Sequence, residues 1–424
     1  MRVRSGFAGG LLLLLTACSD GSQEIQFEPG REERGAIHVL RLAGTPYEMG
    51  LQHGRLMASE LAEGVEFVNT DVDFITLFSL ARHHGFIDDA AAQSYPDILD
   101  ECRGMAEACD EQGVEWTEEM CLALGWGDVM LEHLQRIIAG CTQFVVSGPA
   151  VPGGGFYHAR SLDWDDIGYL LAHPTIIARR PEGKLGYAVI GFPGNVAPYS
   201  GMNEAGLVVA SNENNAIDDI DRQGRSHVQM IRQILQDCSS LEDAEGFLRA
   251  QDHTTAESLL VSEAASGRAA VFEMSASHMG VRELGEAGLL YMTNHFIHPD
   301  MAALHEPYGP DASSRTRLAR LEQLLEPDGA DSLYGHLDLE GAVRVLRDTT
   351  NPYTGVTHPP DLFDGGGTIA NNANVYAMVF DPNQPAIYLA TGEPPIPQQR
   401  FVGLHLGELL GTEPEAATAP IEIP

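Results

Sequence analysis

The sequence predicts an α+β fold of layered antiparallel sheets, and three observations carry that prediction. Residues 46–139 read mostly as helix, with Met49, Met57, Leu61 and Val65 spaced by four or eight along one apolar stripe. From 142 onward, short strand-like runs follow one another in quick succession. Two pairs of helical stretches interrupt them, so the order is helices, strands, two helices, strands, two helices, strands. A parallel βαβ fold would alternate strictly instead. A chain of 424 residues exceeds the roughly 250–300 residues over which a single core keeps growing, which implies one large layered domain or two smaller ones.

Taken in order, residues 1–18 read as an address. Arg2 and Arg4 precede an apolar run from Phe7 to Ala17 that is too short to span a bilayer. It ends in Leu15-Thr16-Ala17-Cys18, which is similar to a bacterial lipobox, where the cysteine is lipidated. The alternative is a plain signal peptide beside a chance cysteine. With Ser19 at the next position, the expectation is an exported bacterial lipoprotein on the periplasmic side of the envelope, at the outer membrane, anchored only through lipid on Cys18. Residues 19–35 are polar and aperiodic and predict a tether. Residues 36–43 (AIHVLRLA) alternate and predict a strand.

Helical stretches are expected around 68–83, 95–111 and 117–138. Strands are expected near 142–147, 156–162, 174–180, 185–192, 206–211, 257–263, 268–274, 279–284, 289–293, 375–381 and 386–390. Helices are expected at 227–238, 240–250, 313–325 and 338–347. The predicted domain is 36–410, with a helical segment 36–140 and a strand-rich segment 141–410. Residues 411–424 predict a disordered tail.

Charge narrows the partners. There are 25 Lys+Arg against 61 Asp+Glu, a net charge of −36, and Lys184 is the sole lysine. Nucleic acid and anionic membrane surfaces both need a basic footprint, so neither is an expected partner. Of the six cysteines, Cys102, Cys109, Cys121 and Cys238 are expected as buried thiols. Cys102 and Cys109 share a helix face but lie too far apart to bond within one straight helix.

Cys141 stands apart because helical character gives way to strand at Gly140-Cys141-Thr142. The segment 148–154 (GPAVPGG) is turn material. A hairpin centred near 151 pairs residues whose numbers sum to about 303, so Cys141 falls opposite a residue near 162, and Arg160 and Asp163 return to its neighbourhood. A guanidinium lowers a thiol's pKa, and a carboxylate holds an arginine or an amine in place. Arg160 and Asp163 are three apart and would face opposite ways in a regular strand, so their joint use requires a lapse in alternation at Asp163. A surface ion pair beside a buried cysteine is the alternative. Gly206–Asn212 and Leu289–Asn294 are apolar strands that end in a side-chain amide, a group suited either to an oxyanion or to capping a turn.

Gly140-Cys141-Thr142 followed by Arg160-Ser161-Leu162-Asp163 resembles the N-terminal-nucleophile hydrolases, and among them the acyl-coenzyme A:6-aminopenicillanic acid acyltransferase branch. Choloylglycine hydrolases, penicillin V acylases and acid ceramidases are more distant relatives of that branch. The resemblance extends to Gly44-Thr45-Pro46-Tyr47-Glu48-Met49-Gly50 with Gln52-His53-Gly54, to Gly201–Leu207 leading to Asn212, and to Thr293-Asn294. It also takes in Ser314-Arg315-Thr316-Arg317, and Phe380-Asp381-Pro382 with Ala390-Thr391-Gly392. Ser161 stands where the family pattern often has Asn.

The resemblance implies a four-layer αββα sandwich preceded by a mostly helical segment. It implies self-cleavage between Gly140 and Cys141, leaving a two-chain α/β heterodimer with Cys141 as a nucleophile at a new N-terminus. Asn212 would stabilise the oxyanion, and Asp163 and Asn294 would orient the α-amine. Arg160 would position the thiol and the carboxylate, and Arg317 would support the site from behind. The substrate implied is a small N-acylated amide, cleaved by hydrolysis rather than acyl transfer, with no cofactor and no metal. The rival readings are an acyl-coenzyme A-dependent acyltransferase, a cysteine hydrolase that never processes itself, and a non-catalytic lipid-anchored binding protein.

Other features carry less. Gly153-Gly154-Gly155 and Gly365-Gly366-Gly367 lack the Lys-Ser/Thr of a phosphate loop. His295, His298 and Asp300 admit a metal site or solvated loop histidines, and His83-His84 admits the same bland reading. Trp116 and Trp126 read as core or pocket wall. Trp164, directly after Asp163, is a candidate for the acyl pocket.

Overall fold

The structure is a computed structural model that describes residues 27–134, 139–164, 168–217, 221–305, 311–359, 367–413 and 422–424. The lipobox and Cys18 lie outside the described residues. The first element corrects the expected tether: β1 (Gly30–Arg34) pairs antiparallel with β2 (Ile37–Gly44). Its run of charges made it read as polar and aperiodic, yet those charges hold it. Arg41 bonds Glu32 at 3.0 Å, Arg31 bonds Glu60 at 2.8 Å, and Arg34 bonds Glu408.

Helices α1 (Pro46–Leu56), α2 (Ala58–Thr70), α3 (Val72–His83), α4 (Phe86–Gln93), α5 (Pro96–Asp110), α6 (Glu118–Gly125) and α7 (Gly127–Leu134) follow. The Gly44–Gly54 motif acquires a structural meaning here. Thr45 and Glu48 form a reciprocal capping box with Pro46 at the first helical position. A Cβ on Gly50 would meet Glu101 O at 2.1 Å, and one on Gly104 would meet Tyr47 O at 2.2 Å, so only glycine lets α1 and α5 touch backbone to backbone. Cys102 and Cys121 form a disulfide that ties α5 to α6, correcting the expectation of two thiols. The spacing argument had weighed only partners within one helix. Cys109, Cys141 and Cys238 are free and buried.

The strand-rich part begins with the hairpin β3 (Ala139–Ser147) and β4 (Phe156–Trp164). Then come α8 (Gly168–Ala172), β5 (Thr175–Pro181), β6 (Tyr187–Gly191), β7 (Ser200–Asn203), β8 (Leu207–Glu213), α9 (His227–Asp237) and α10 (Leu241–Arg249). After these lie β9 (Glu257–Glu263), β10 (Arg268–Met274), β11 (Met279–Glu283), β12 (Leu289–Met292), α11 (Pro299–Ala302), α12 (Asp311–Leu325) and α13 (Leu339–Leu346). The chain closes with β13 (Asn374–Asp381), β14 (Ala386–Ala390), β15 (Phe401–His405), α14 (Leu406–Leu409) and β16 (Glu422–Ile423). β16 pairs with β15 and buries Ile423, so the predicted tail ends in a strand.

Among the described residues these strands make two sheets. One has the order β1-β2-β5-β6-β7-β8-β9-β10-β11, the other β12-β3-β4-β13-β14-β15-β16. Every pairing within them is antiparallel except β2 with β5. Period-2 alternation divides the side chains between layers. Leu207 and Val209 of β8 join a core with α1, α5, α6 and α9, whereas Val208 turns toward the second sheet. On the outer face of that sheet, Phe144, Ala159 and Val379 pack against Leu321 of α12 and Val343 of α13. The result is a four-layer αββα sandwich of the α+β class. Its inter-sheet core contains Cys141, Leu162, Met378 and Leu389.

Candidate active site

The β3–β4 register puts Cys141 opposite Leu162, Gly140 opposite Asp163 and Gln143 opposite Arg160. The pairing runs regularly to Trp164, so the expected lapse at Asp163 does not occur. The irregularity lies on β4's other edge, between Asn374 and Tyr376 of β13. Cys141 and Arg160 therefore point into the inter-sheet space, while Asp163, Thr142 and Gly140 face the α12 side. The six predicted polar and nucleophilic residues still converge, because Cys141's backbone is reached from both faces of its sheet.

On the inner face, Arg160 Nη2 donates to Cys141 Sγ at 3.3 Å. Its fork is fixed by Ser211 O at 3.1 Å and Tyr199 O at 2.9 Å. Burial pushes the Cys141 thiol up to about 11, against the pull of Arg160, so the thiol is protonated at neutral pH. Around the backbone, the Cys141 N–H donates to Asn294 Oδ1 at 2.7 Å. Arg317, on α12, donates to the same Oδ1 at 2.8 Å, to Thr142 Oγ1 at 3.0 Å and to Cys141 O. Asn212 Nδ2 donates to Cys141 O at 3.2 Å and to Thr293 O at 3.0 Å.

Asp163 accepts from Asn371 Nδ2 at 3.0 Å and from Asn374 Nδ2. Burial raises its carboxyl above the usual range, opposed by Arg317 and the two amides. A Cβ on Gly140 would lie 3.0 Å from Asp163 Oδ2 and 3.4 Å from Arg317 Nη2, so the residue before Cys141 has room for little beyond glycine.

Three supporting groups were not among the predicted residues. Asn371 and Asn374 lie where an Asn-rich turn enters β13, ahead of the quoted Phe380-Asp381-Pro382 and outside every quoted motif. Gln143, a polar residue on Cys141's own strand face, donates to Asn212 Oδ1 at 2.5 Å and to Ser211 O at 2.8 Å. That contact fixes Asn212's amide with its nitrogen toward Cys141 O. Gln143 Oε1 can only accept, so the His158 proton sits on Nε2, 3.3 Å away, and Nδ1 accepts from Ser262 Oγ at 2.9 Å. Burial pushes His158 down to about 3, so this chain of hydrogen bonds is neutral.

Trp164 is half-buried, edge-on to Tyr199 with ring centroids 5.7 Å apart. His295 Nδ1 bonds Ser314 Oγ at 2.7 Å, and the His298 side chain caps α11 through Asp300 N. No group of three or more His, Cys, Asp or Glu among the described residues is placed to hold a metal ion. His83 and His84 are exposed, edge to face at 5.0 Å.

On the other side of Arg160, Glu257 pairs in register with Glu213. Burial first, then the like charges of Glu213 and Asp128, push its carboxyl well above the usual range. Unfolding releases that proton at the ordinary carboxylate pKa of about 4.3. The stability Glu257 contributes is therefore full below that pH and declines as pH rises toward its folded value. Glu257→Gln keeps the shape without the proton loss. Its melting temperature should match the parent's near pH ~4.5 and exceed it increasingly as the pH rises above that. A gap that does not widen with pH would contradict this account.

A thiol held at a Gly-Cys junction inside a two-sheet αββα sandwich belongs to the class of N-terminal-nucleophile amide hydrolases and acyltransferases. Within that class the chain belongs to the acyl-coenzyme A:6-aminopenicillanic acid acyl-transferase family, whose model matches residues 163–395. That match begins at Asp163, so Gly140, Cys141 and Arg160 lie ahead of it. An uncharacterized protein of Archaeoglobus fulgidus is 24% identical over 341 residues, 69% of this chain and 56% of its own length. The chain thus spans little more than half of that relative. Among solved structures, a Caenorhabditis elegans N-acylethanolamine-hydrolyzing acid amidase ortholog is similar at 18% identity and a TM-score of 0.42, covering 58% of this chain and 94% of its own. Penicillin V acylase from Agrobacterium tumefaciens is similar at 16% identity and a TM-score of 0.35, covering 59% and 83%. A mutant conjugated bile acid hydrolase from Clostridium perfringens is similar at 15% identity and a TM-score of 0.37, covering 67% and 96%.

Proposed function

We propose that the chain is an autoproteolytically activated cysteine amidohydrolase that cleaves a small N-acylated amide through a thioester on Cys141. The observation that carries this reading is the convergence on one residue of a guanidinium at its sulfur and of Asn294, Arg317 and Asn212 at its backbone.

In the activation step, Sγ adds to the Gly140 carbonyl and the Cys141 nitrogen leaves, taking up the thiol proton. Water hydrolyses the resulting thioester, releasing a Gly140 carboxylate and restoring the thiol. The freed α-amine has an unperturbed pKa of about 7.7–8.0, suited to accepting the thiol proton near neutral pH. Asn294 Oδ1, which already accepts from that nitrogen, would keep one N–H engaged and leave the lone pair for the thiol.

In turnover, the thiolate adds to the substrate carbonyl while Asn212 and nearby backbone N–H groups receive the oxyanion. The departing amine takes its proton from the α-ammonium. Water then releases the acyl group, or an amine accepts it in the transferase variant. Arg160 stabilises the thiolate. Asp163, held by Asn371 and Asn374, balances Arg317 on the far face. A lipid on Cys18 would hold the first chain to the membrane and the second through packing alone.

Intact-mass spectrometry of purified protein, with and without iodoacetamide, tests the reading. The expected result is two chains that meet between Gly140 and Cys141, with a single active-site label on Cys141. One chain with a labelled Cys141 would mean a hydrolase that does not process itself. One chain with an unreactive Cys141 would favour a binding protein.

A further inference from the structure

Tyr376 of β13 shares a row with the nucleophile. It pairs in register with Leu162, which pairs in turn with Cys141, so the three side chains lie side by side on the face turned to the first sheet. All three pack in the inter-sheet core with Met378 and Phe380, the next inward residues of β13. The Tyr376 ring also flanks Arg160, whose guanidinium carbon is 5.7 Å from the ring centroid.

Apolar neighbours ask only for a ring at this position, and a phenylalanine would supply one, as Phe380 does on the same face. Tyrosine adds a hydroxyl that is buried without a hydrogen-bond partner. Ser200 Oγ interacts with it from the facing sheet and favours its ionised form, but the serine's own hydrogen bond goes to Met378 Sδ at 3.7 Å. Burial outweighs Ser200 and raises the phenol above its ordinary range, so the group is a neutral donor. Arg160 Nε is a second buried donor in this layer without a partner. Unpaired buried donors cost folding free energy, and two of them beside the nucleophile leave that space short of an acceptor.

The row lies where the inter-sheet space begins to open. Along the inward face of β4, Arg160 is fully buried, Leu162 is 3% exposed and Trp164 is half-buried. Along β13, Met378 is fully buried and Tyr376 is 5% exposed. Two strand spacings, about 10 Å, separate the backbone of Tyr376 from that of Cys141. The hydroxyl therefore addresses substrate atoms beside the scissile carbonyl and not the sulfur itself.

We propose that the Tyr376 hydroxyl determines specificity by donating to an acceptor oxygen that the substrate carries beside its scissile amide. The substrate class is then N-acyl amides bearing such an oxygen, in preference to plain alkyl amides. An acceptor-free substrate would leave the buried donor unpaired in the complex, which is how such sites reject it. The link to turnover rests on the amidohydrolase reading.

The test compares N-propylhexanamide with two amides of similar size. One is N-propyl-3-oxohexanamide, with the added oxygen in the acyl half, and the other is N-hexanoylglycine methylamide, with it in the amine half. Fluorescamine reads the amine released by the processed parent and by Tyr376→Phe, which keeps the ring against Arg160. One oxygenated amide should lead the plain one in kcat/KM about 10-fold or more, and Tyr376→Phe should remove that lead. The half that carries the leading oxygen identifies the side of the amide that Tyr376 faces. The melting temperature of Tyr376→Phe should equal or exceed the parent's, because only an unpaired hydroxyl is lost. A parent that turns over none of the three would sink the amidohydrolase reading alone. The contact is then judged by how strongly each amide protects Cys141 from iodoacetamide, with the same lead expected in the parent and lost in Tyr376→Phe. No lead in turnover or protection, a lead that Tyr376→Phe leaves unaltered, or a variant that melts lower and loses all three amides alike would overturn the proposal.

Discussion

Replacing Cys141 with alanine should leave the protein as one uncleaved chain and lower amide hydrolysis by at least about 10³-fold, the scale on which loss of a nucleophile is felt. The structure gives the reason. Arg160 Nη2, Asn294 Oδ1, Arg317 Nη1 and Asn212 Nδ2 all address atoms of this one residue, and the contacts to its backbone survive the substitution. The variant should therefore fold, and its defect should be chemical. Cys141→Ser separates the two roles of the side chain. A hydroxyl ionises far less readily than a thiol, so the serine variant should process slowly and turn over at a small fraction of the parental rate. A denaturing gel over days and a fluorogenic amide assay read both outcomes. Full processing or parental activity in Cys141→Ala would remove Cys141 from the chemistry.

The hairpin around that residue was legible because a Gly/Pro-rich turn sets a register that symmetry carries inward. A centre near 151 predicted Cys141 opposite a residue near 162, and the pairing is with Leu162. Strand positions such as Arg268–Met274 and Ala386–Ala390 were readable from their own apolar runs bounded by turns. Sequence patterns failed where tertiary partners decide the outcome. β1 is a charged run stabilised by partners on β2 and at Glu408, and no local periodicity announces it. The Cys102–Cys121 pair is set by how α5 and α6 cross, which spacing along one helix does not reveal.

Asp163 shows the limit most clearly. Strand alternation separates it from Arg160, and the structure keeps that separation. What brings it to the site is Arg317, arriving from a helix more than a hundred residues later, together with an unadorned Gly140 beside it. Asn371 and Asn374 join through a loop whose asparagines look like ordinary turn residues. Gln143 alone among the missed groups left a readable trace, as an isolated amide on the same strand face as Cys141.

Glu101→Ala should produce the largest loss of stability. Glu101 on α5 is fully buried between Arg179 of β5, at 3.0 Å, and Arg232 of α9, at 2.7 Å, both also fully buried. Burial would raise its carboxyl, but the two guanidinium groups hold it below the usual range. Asp97 adds a weaker contact to Arg232 at 3.4 Å, and Asn195 O and Val196 O take one donor from each arginine. Removing the carboxylate strands two guanidinium groups in a dry interior. Breaking a buried pair in this way costs about 3–5 kcal/mol, and a network with two cations belongs at the upper end. A fall in melting temperature on the order of 10 °C is expected. Glu101→Gln, which keeps a hydrogen-bonding oxygen but loses the charge, should lie between the parent and the alanine variant.

The position of this network makes the effect more than a matter of stability. Asp97 and Glu101 precede Gly140, whereas Arg179 and Arg232 follow it. In a chain cut between Gly140 and Cys141, the network joins the two products on the helical face of the first sheet. Size-exclusion chromatography of processed Glu101→Ala should then show the first chain separating from the second under conditions where the parent elutes as one species. A melting temperature equal to the parent's would show that the network does not hold the helical layer to the sheet.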